Sequence, residues 1–250
     1  MRPIQAEVLK LVRRRALMIW SALLTVGSVV IVYAVLVILH AVNGTKHGPA
    51  GGVHKLEHVM LLLSGLGGVA GIIIGSTAGS QDVSAGVFRD LVVTGRPRSQ
   101  LFNVRFPGAL LVYLPMLAVG FGLGILGSYA FAGSEPTASA GTVGHWALYV
   151  GLDGIAEVAL AVGIAAFVSS RIVVGVLIAW NAIVSQILIS IGSLGGVRKA
   201  IDVAAFQHFA PQGAIDDKLT FSTGLALLVI AVWVGVALAA GRRWTQRIDA

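Results

Sequence analysis

Residues 59–79 read VMLLLSGLGGVAGIIIGSTAG, and this one stretch decides the kind of fold to expect. It carries no charged residue over 21 positions, enough for a helix rising about 1.5 Å per residue to cross a hydrocarbon core of about 30 Å. Gly67, Gly71, Gly75 and Gly79 recur at every fourth position. Residues four apart share a helical face, so that face presents backbone instead of side chains. Small-xxx-small rows of this kind mark where membrane helices approach closely. The stretch therefore predicts a membrane-spanning helix packed against a neighbour, within the molecule or across a dimer seam.

Outward from it, five more apolar runs follow the same rule, at 17–39, 107–131, 146–168, 172–194 and 221–240. The whole chain is 56% hydrophobic and 12% charged, with mean hydropathy +0.88, about half the charge share of a soluble domain. The run at 17–39 is 23 residues long and lacks a small-residue cleavage site, which predicts a retained signal anchor. The run at 107–131 repeats the small-residue pattern at Gly120, Gly124 and Ser128, with Pro107 and Pro115 expected to start and kink it. Ahead of the first run, Ile4, Val8, Leu11 and Val12 fall on one helical face, while Gln5, Lys10, Arg13 and Arg14 fall on others. That pattern predicts an interfacial helix within residues 1–16.

The charges orient this layout. Six spans put both termini on one side, and of the 18 lysines and arginines, 13 then lie on the side of the termini and 5 on the other. The positive-inside rule makes the richer side cytoplasmic. The reading is thus all-α: a polytopic membrane protein with six transmembrane helices, an N-terminal interfacial helix and both termini cytoplasmic, forming a single domain over 1–250. The net charge of +7 is explained by span ends meeting anionic lipid, so no nucleic-acid partner is expected. Arginine outnumbers lysine 13 to 5, an association that points to a bacterial plasma membrane.

Two polar segments break the apolar pattern. Residues 81–106 carry Arg89, Arg96, Arg98 and Arg105 against Asp82 and Asp90, and so polar a stretch must meet water, head groups or another protein. On the other side, residues 195–220 are amphipathic at Val197, Ile201, Ala205 and Phe209, and Pro211 with Gly213 ends that pattern.

Within the spans, Asp153 and Glu157 share a helical face, and ionisable residues at such depth point to an ion path, a proton relay or substrate contact. With that run starting near 146, they fall one to two turns from its outer end. Asn181 and Gln186 are polar positions of the fifth run, suited to interhelical hydrogen bonding or to the same path. His54 and His58 stand four apart among loop histidines, but no metal site is expected. The chain has no cysteine and no Gly-Lys pair for a phosphate-binding loop, and the Gly-x-Ser-x-Gly and His-Glu-x-x-His signatures are missing. No enzymatic activity and no cofactor are expected in this chain itself.

Together these features resemble the membrane subunit of ABC-2 type transporters. The resemblance rests on the basic amphipathic N-terminus, the six-span layout and the first cytoplasmic loop. In that loop Asp82 precedes Gly86 by four, and Leu91, Val92 and Val93 lead through Thr94 and Gly95 to Arg96, Pro97 and Arg98, then to Arg105. The short turn at Ser169, Ser170 and Arg171 also agrees. The resemblance implies a permease pairing with a second copy or a homologue. Its ATP and Mg would be bound by a separate cytoplasmic ATPase, and an amphiphilic drug, antibiotic, peptide or lipid would be exported. It further implies that loop 81–106 couples to the ATPase through Asp82, Gly86, Val87, Phe88, Arg89, Leu91, Gly95 and Arg98, and that the 195–220 segment is re-entrant. Two other readings stay open: an ion-coupled secondary transporter titrating Asp153 and Glu157, and a membrane scaffold held together through its glycine faces.

Overall fold

The computed structural model describes residues 2–93, 95, 97–215 and 219–247, with the side chains of Arg2 and Arg89 left undescribed. Expectations for Thr94, Arg96 and the Arg89 side chain lie outside the described residues. Every regular element is helical, and no strand occurs among the described residues. The order is α1 (Arg2–Val12), α2 (Arg15–Val42), α3 (Val53–Ser84), α4 (Phe88–Val93), α5 (Arg98–Asn103), α6 (Arg105–Ala130), α7 (Ala140–Ile164), α8 (Ser170–Ser190), α9 (Asp202–Gln207) and α10 (Thr223–Arg247). Six helices are long and apolar enough to cross a membrane: α2, α3, α5 continued into α6, α7, α8 and α10.

Helix α3 is the centre of the bundle. Of its most apolar window, 67% is buried inside the protein, against 17% for α8 and 22% for α2 and α10. It packs chiefly against α7 and α6, and α8 joins its flank. The glycine row explains this contact. A Cβ built on Gly75 would stand 2.6 Å from the Val158 carbonyl oxygen, and one on Gly79 equally close to that of Val162. Gly71 meets Val158 and Tyr113, and Gly67 meets Leu117 and Tyr113. The row is therefore an intramolecular seam against α7 and α6. The fourfold series of α6 is used likewise: Gly124 accommodates Met60, and the Ser128 hydroxyl donates to the Gly52 carbonyl at 2.9 Å.

Several boundaries differ from the sequence reading. Helix α3 runs 32 residues, about 48 Å at helical rise and longer than the hydrocarbon core, so its end is a rigid projection. Residues 81–84 and Arg105 thus belong to helices, and the segment joining them is shorter than 81–106. Helix α7 starts at Ala140, where the Ser139 side chain accepts from the Thr142 amide, and it ends at Ile164. Small polar residues before Trp146 had masked that start. Helices α2 and α8 each contain a π-helical turn, Leu23–Gly27 and Trp180–Val184. Pro107 falls in the first turn of α6, where a missing N–H is harmless, and Pro115 lies inside that helix.

The connection from α8 to α10 folds back onto the bundle. A 3-10 run, Gly192–Ala200, leads into α9, whose Ala205 and Phe206 pack with Phe209 against Ala156, Ala226 and Ile230. Ile201, Ala205 and Phe209 are buried as their spacing suggests, whereas Val197 is exposed.

A single added methyl tests the seam. Gly75→Ala is expected to cost about 1–3 kcal/mol through overpacking, outweighing the ~1 kcal/mol that alanine otherwise gains in a helix. Gly65→Ala, whose new methyl meets nothing within 4 Å, is expected to leave the melting temperature in detergent unchanged or higher. Equal melting temperatures for the two variants contradict the seam.

Candidate functional site

Asp153, Glu157, Asn181 and Gln186, singled out separately in the sequence, line one cavity of about 210 Å³ between α3, α7 and α8. The structure corrects their depth. Asp153 is the fourteenth of the 25 residues of α7, about 20 Å along the helix from its start. The pair sits near the middle of α7, not one to two turns from its start.

Each carboxylate is held by one neutral donor from another helix. The Ser64 hydroxyl of α3 donates to Asp153 Oδ2 at 2.5 Å, and Asn181 Nδ2 of α8 donates to Glu157 Oε1 at 2.6 Å. Glu157 is 2% exposed, and its Oε2 has no partner. Gly68 of α3 faces both side chains: a Cβ built on it would stand in ordinary contact with Glu157 Cγ at 3.7 Å and Asp153 Oδ2 at 3.9 Å. Asn181 reaches Glu157 from within the π-helical turn, a local widening that shifts side chains off the regular α-helical register. The same turn aims Trp180 the other way, where its Nε1 donates to Asp202 Oδ1 at 2.9 Å. Gln186 Nε2 donates to the Asn181 carbonyl at 3.4 Å.

At the end of α3 lies a second cluster, built from four charges on three helices. Lys10 of α1 bridges Glu7 Oε2 at 2.6 Å and Asp82 Oδ1 at 2.8 Å. Arg105 of α6, fully buried, meets Asp82 Oδ2 at 3.4 Å through Nη2 and donates to the Gly79 carbonyl at 2.7 Å through Nη1. Its guanidinium also lies 5.9 Å from the Phe102 ring centroid. Two acids and two bases leave the cluster neutral. Burial pushes the Glu7 carboxyl above its ordinary range, with the Lys10 ammonium pulling it back. Helix α1 is therefore packed onto the bundle: Leu11 is fully buried, and Glu7 packs over Gly108 of α6.

The remaining loop candidates divide by exposure. Asp82 is 5% exposed and occupied by the charge cluster. Phe88 is buried, and Leu91 faces inward beside Glu7, Lys10 and Leu101. Val87 and Val93 point outward, at 41% and 79% exposure, with Asp90 exposed between them. Gly86 and Gly95 adopt φ of +71° and +82° after α3 and α4, the left-handed conformation that ends helices and favours glycine. Arg98 donates to the Gln246 carbonyl at 3.2 Å, tying α5 to the end of α10.

Sequence reasoning had missed Glu7, Lys10 as a partner of Asp82, Ser64 and Asp202. Serine in an apolar helix carries no periodic signal, and Lys10 and Asp82 are separated by 72 positions. The chain matches no protein-family model and no curated protein sequence.

Removing the shared anion exposes what the cluster does. Asp82→Ala leaves Arg105 buried without its carboxylate and is expected to destabilise by about 3–5 kcal/mol. Thermal unfolding together with limited proteolysis of α1 reads this out. An unchanged melting temperature with α1 still protected contradicts the assignment.

Proposed function

We propose that this chain is the membrane-spanning permease subunit of an ATP-driven exporter. ATP and Mg are bound by a separate cytoplasmic subunit, a second permease copy or homologue completes the complex, and an amphiphilic substrate is moved. In this reading both termini and the α4–α5 segment face the cytoplasm of a bacterium, and the spans lie in its plasma membrane.

One observation carries the reading. Helix α3, the most buried span, continues beyond the length a bilayer needs and is clamped at its end by Lys10 and Arg105 through Asp82. Immediately afterwards Val87, just before α4, and Val93, at its end, are exposed. A partner helix or groove seated on those valines pushes on α4, and the clamp passes the displacement into α3 as a rigid body. Because α3 also walls the carboxylate cavity, docking and cavity are joined by one element. Apolar grooves on the outer surface, one of about 620 Å³ along α2 and α6 and one of about 520 Å³ along α7, α8 and α10, suit a substrate with a hydrocarbon part.

The mid-span depth of Asp153 and Glu157 favours a second reading, ion-coupled transport, since such carboxylates line proton and cation paths. The driving force separates the two. ATP-driven export continues after a protonophore collapses the gradient and stops on ATP depletion; the ion-coupled reading requires the reverse.

The docking surface is tested by charge. With Val87→Asp and Val93→Asp combined, ATP hydrolysis by the complex isolated through this chain is expected to fall at least tenfold, with the melting temperature of the permease unchanged. Full hydrolysis by the double variant overturns the placement of the docking surface.

A further inference from the structure

Among the described residues, the cavity between α3, α7 and α8 is lined by two carboxylates and no basic side chain. Lys10 and Arg105 are committed to the cluster at the end of α3. Asp202, next to the lining residue Val203, adds a further acid and not a base. The groups that do touch Asp153 and Glu157, Ser64 and Asn181, are neutral donors that orient the carboxylates without balancing them. Glu157 Oε2 remains buried with no donor at all. An unbalanced anion at this depth costs several kcal/mol, a cost that is relieved either by a proton on the carboxyl or by a positive charge entering the cavity.

We propose that this cavity binds a single positive charge, an alkali cation or the ammonium group of a larger molecule, with the unpartnered oxygen of Glu157 and the carboxylate of Asp153 as its principal ligands. The Asn181 and Gln186 side-chain oxygens and the Tyr149 hydroxyl are further oxygens available in the lining. Size narrows the class. At about 210 Å³, the cavity lies below the ~300–1,000 Å³ of pockets that enclose drug-sized ligands and well above the ~30 Å³ share of one water. It holds a partly hydrated ion or a small ammonium head and leaves any hydrocarbon tail outside. Among the described residues, no three acidic or histidine side chains converge as a metal site, which points to a monovalent charge in place of a divalent metal with its six or more oxygen ligands. The site stands on the cavity alone, whether ATP or a gradient drives transport.

The test uses the purified full chain in detergent, titrated with sodium, potassium or methylammonium chloride. N-methylglucamine chloride keeps ionic strength constant. Because a ligand of the folded state stabilises by mass action, at least one of the three salts is expected to raise the melting temperature saturably. Glu157→Gln and Asp153→Asn are each expected to weaken that apparent affinity at least tenfold. Sodium or potassium acting identifies a free ion as the ligand, and methylammonium acting alone identifies an organic head group; both support the site. No saturable shift with any of the three salts overturns it, as does a shift undiminished in the variants. Should Glu157→Gln fail to fold, Asp153→Asn decides the matter, since Asp153 is only half-buried.

Discussion

The absence of two side chains on one face of α3 holds this molecule together. At Gly75 and Gly79 the helix lies against the backbone of α7, close enough that a methyl at either position would meet a carbonyl oxygen of Val158 or Val162. Without water to drive apolar surfaces together, membrane helices gain stability from such close van der Waals packing. The seam fixes the register between the two most buried spans. Everything chemically notable hangs on that register: Gly68 and Ser64 lie farther along α3 opposite Asp153 and Glu157, and Asp82 lies one turn past Gly79.

From the seam, α3 links two polar centres of opposite character. The cluster at its end is neutral, with Lys10 and Arg105 answering Glu7 and Asp82, so it serves as a clamp between α1, α3 and α6. The mid-span cavity is unanswered, with two carboxylates and only neutral donors. A rigid helix joining a clamped end to an unbalanced cavity couples the two mechanically, since packed cores shift between discrete arrangements and do not bend continuously. The π-helical turns of α2 and α8 occur where this arrangement needs local freedom. One abuts Gly120 through the Thr25 carbonyl, and the other delivers Asn181 to Glu157.

Much of the fold was legible in the sequence because hydropathy and period report on the membrane directly. The six apolar stretches and the glycine row of 67, 71, 75 and 79 all reappear in the structure, and Asp153, Glu157, Asn181 and Gln186 converge on one cavity. What failed did so for physical reasons. The start of α7 was hidden because Gly141, Thr142 and Gly144 are not apolar, while its cap at Ser139 is a single hydroxyl; the resulting six-residue error moved Asp153 from mid-span towards the surface. That Phe88 and Leu91 turn inward could not be read beforehand, because a short amphipathic helix does not declare which face its own protein covers. The clamp joins α1 to positions near 82 and 105, and no local pattern reports such distant pairing.

The sidedness of α4 is the point on which the functional account turns, and the cysteine-free chain allows it to be measured cleanly. Single cysteines at Val93→Cys, beside the proposed docking surface, and at Ser134→Cys, in the exposed connection between α6 and α7, are treated in intact cells with a membrane-impermeant maleimide. The account predicts labelling at 134 in intact cells and at 93 only after the cells are opened. Labelling at 93 in intact cells, with 134 protected, places α4 outside the cell, beyond reach of any ATP-hydrolysing partner, and contradicts it.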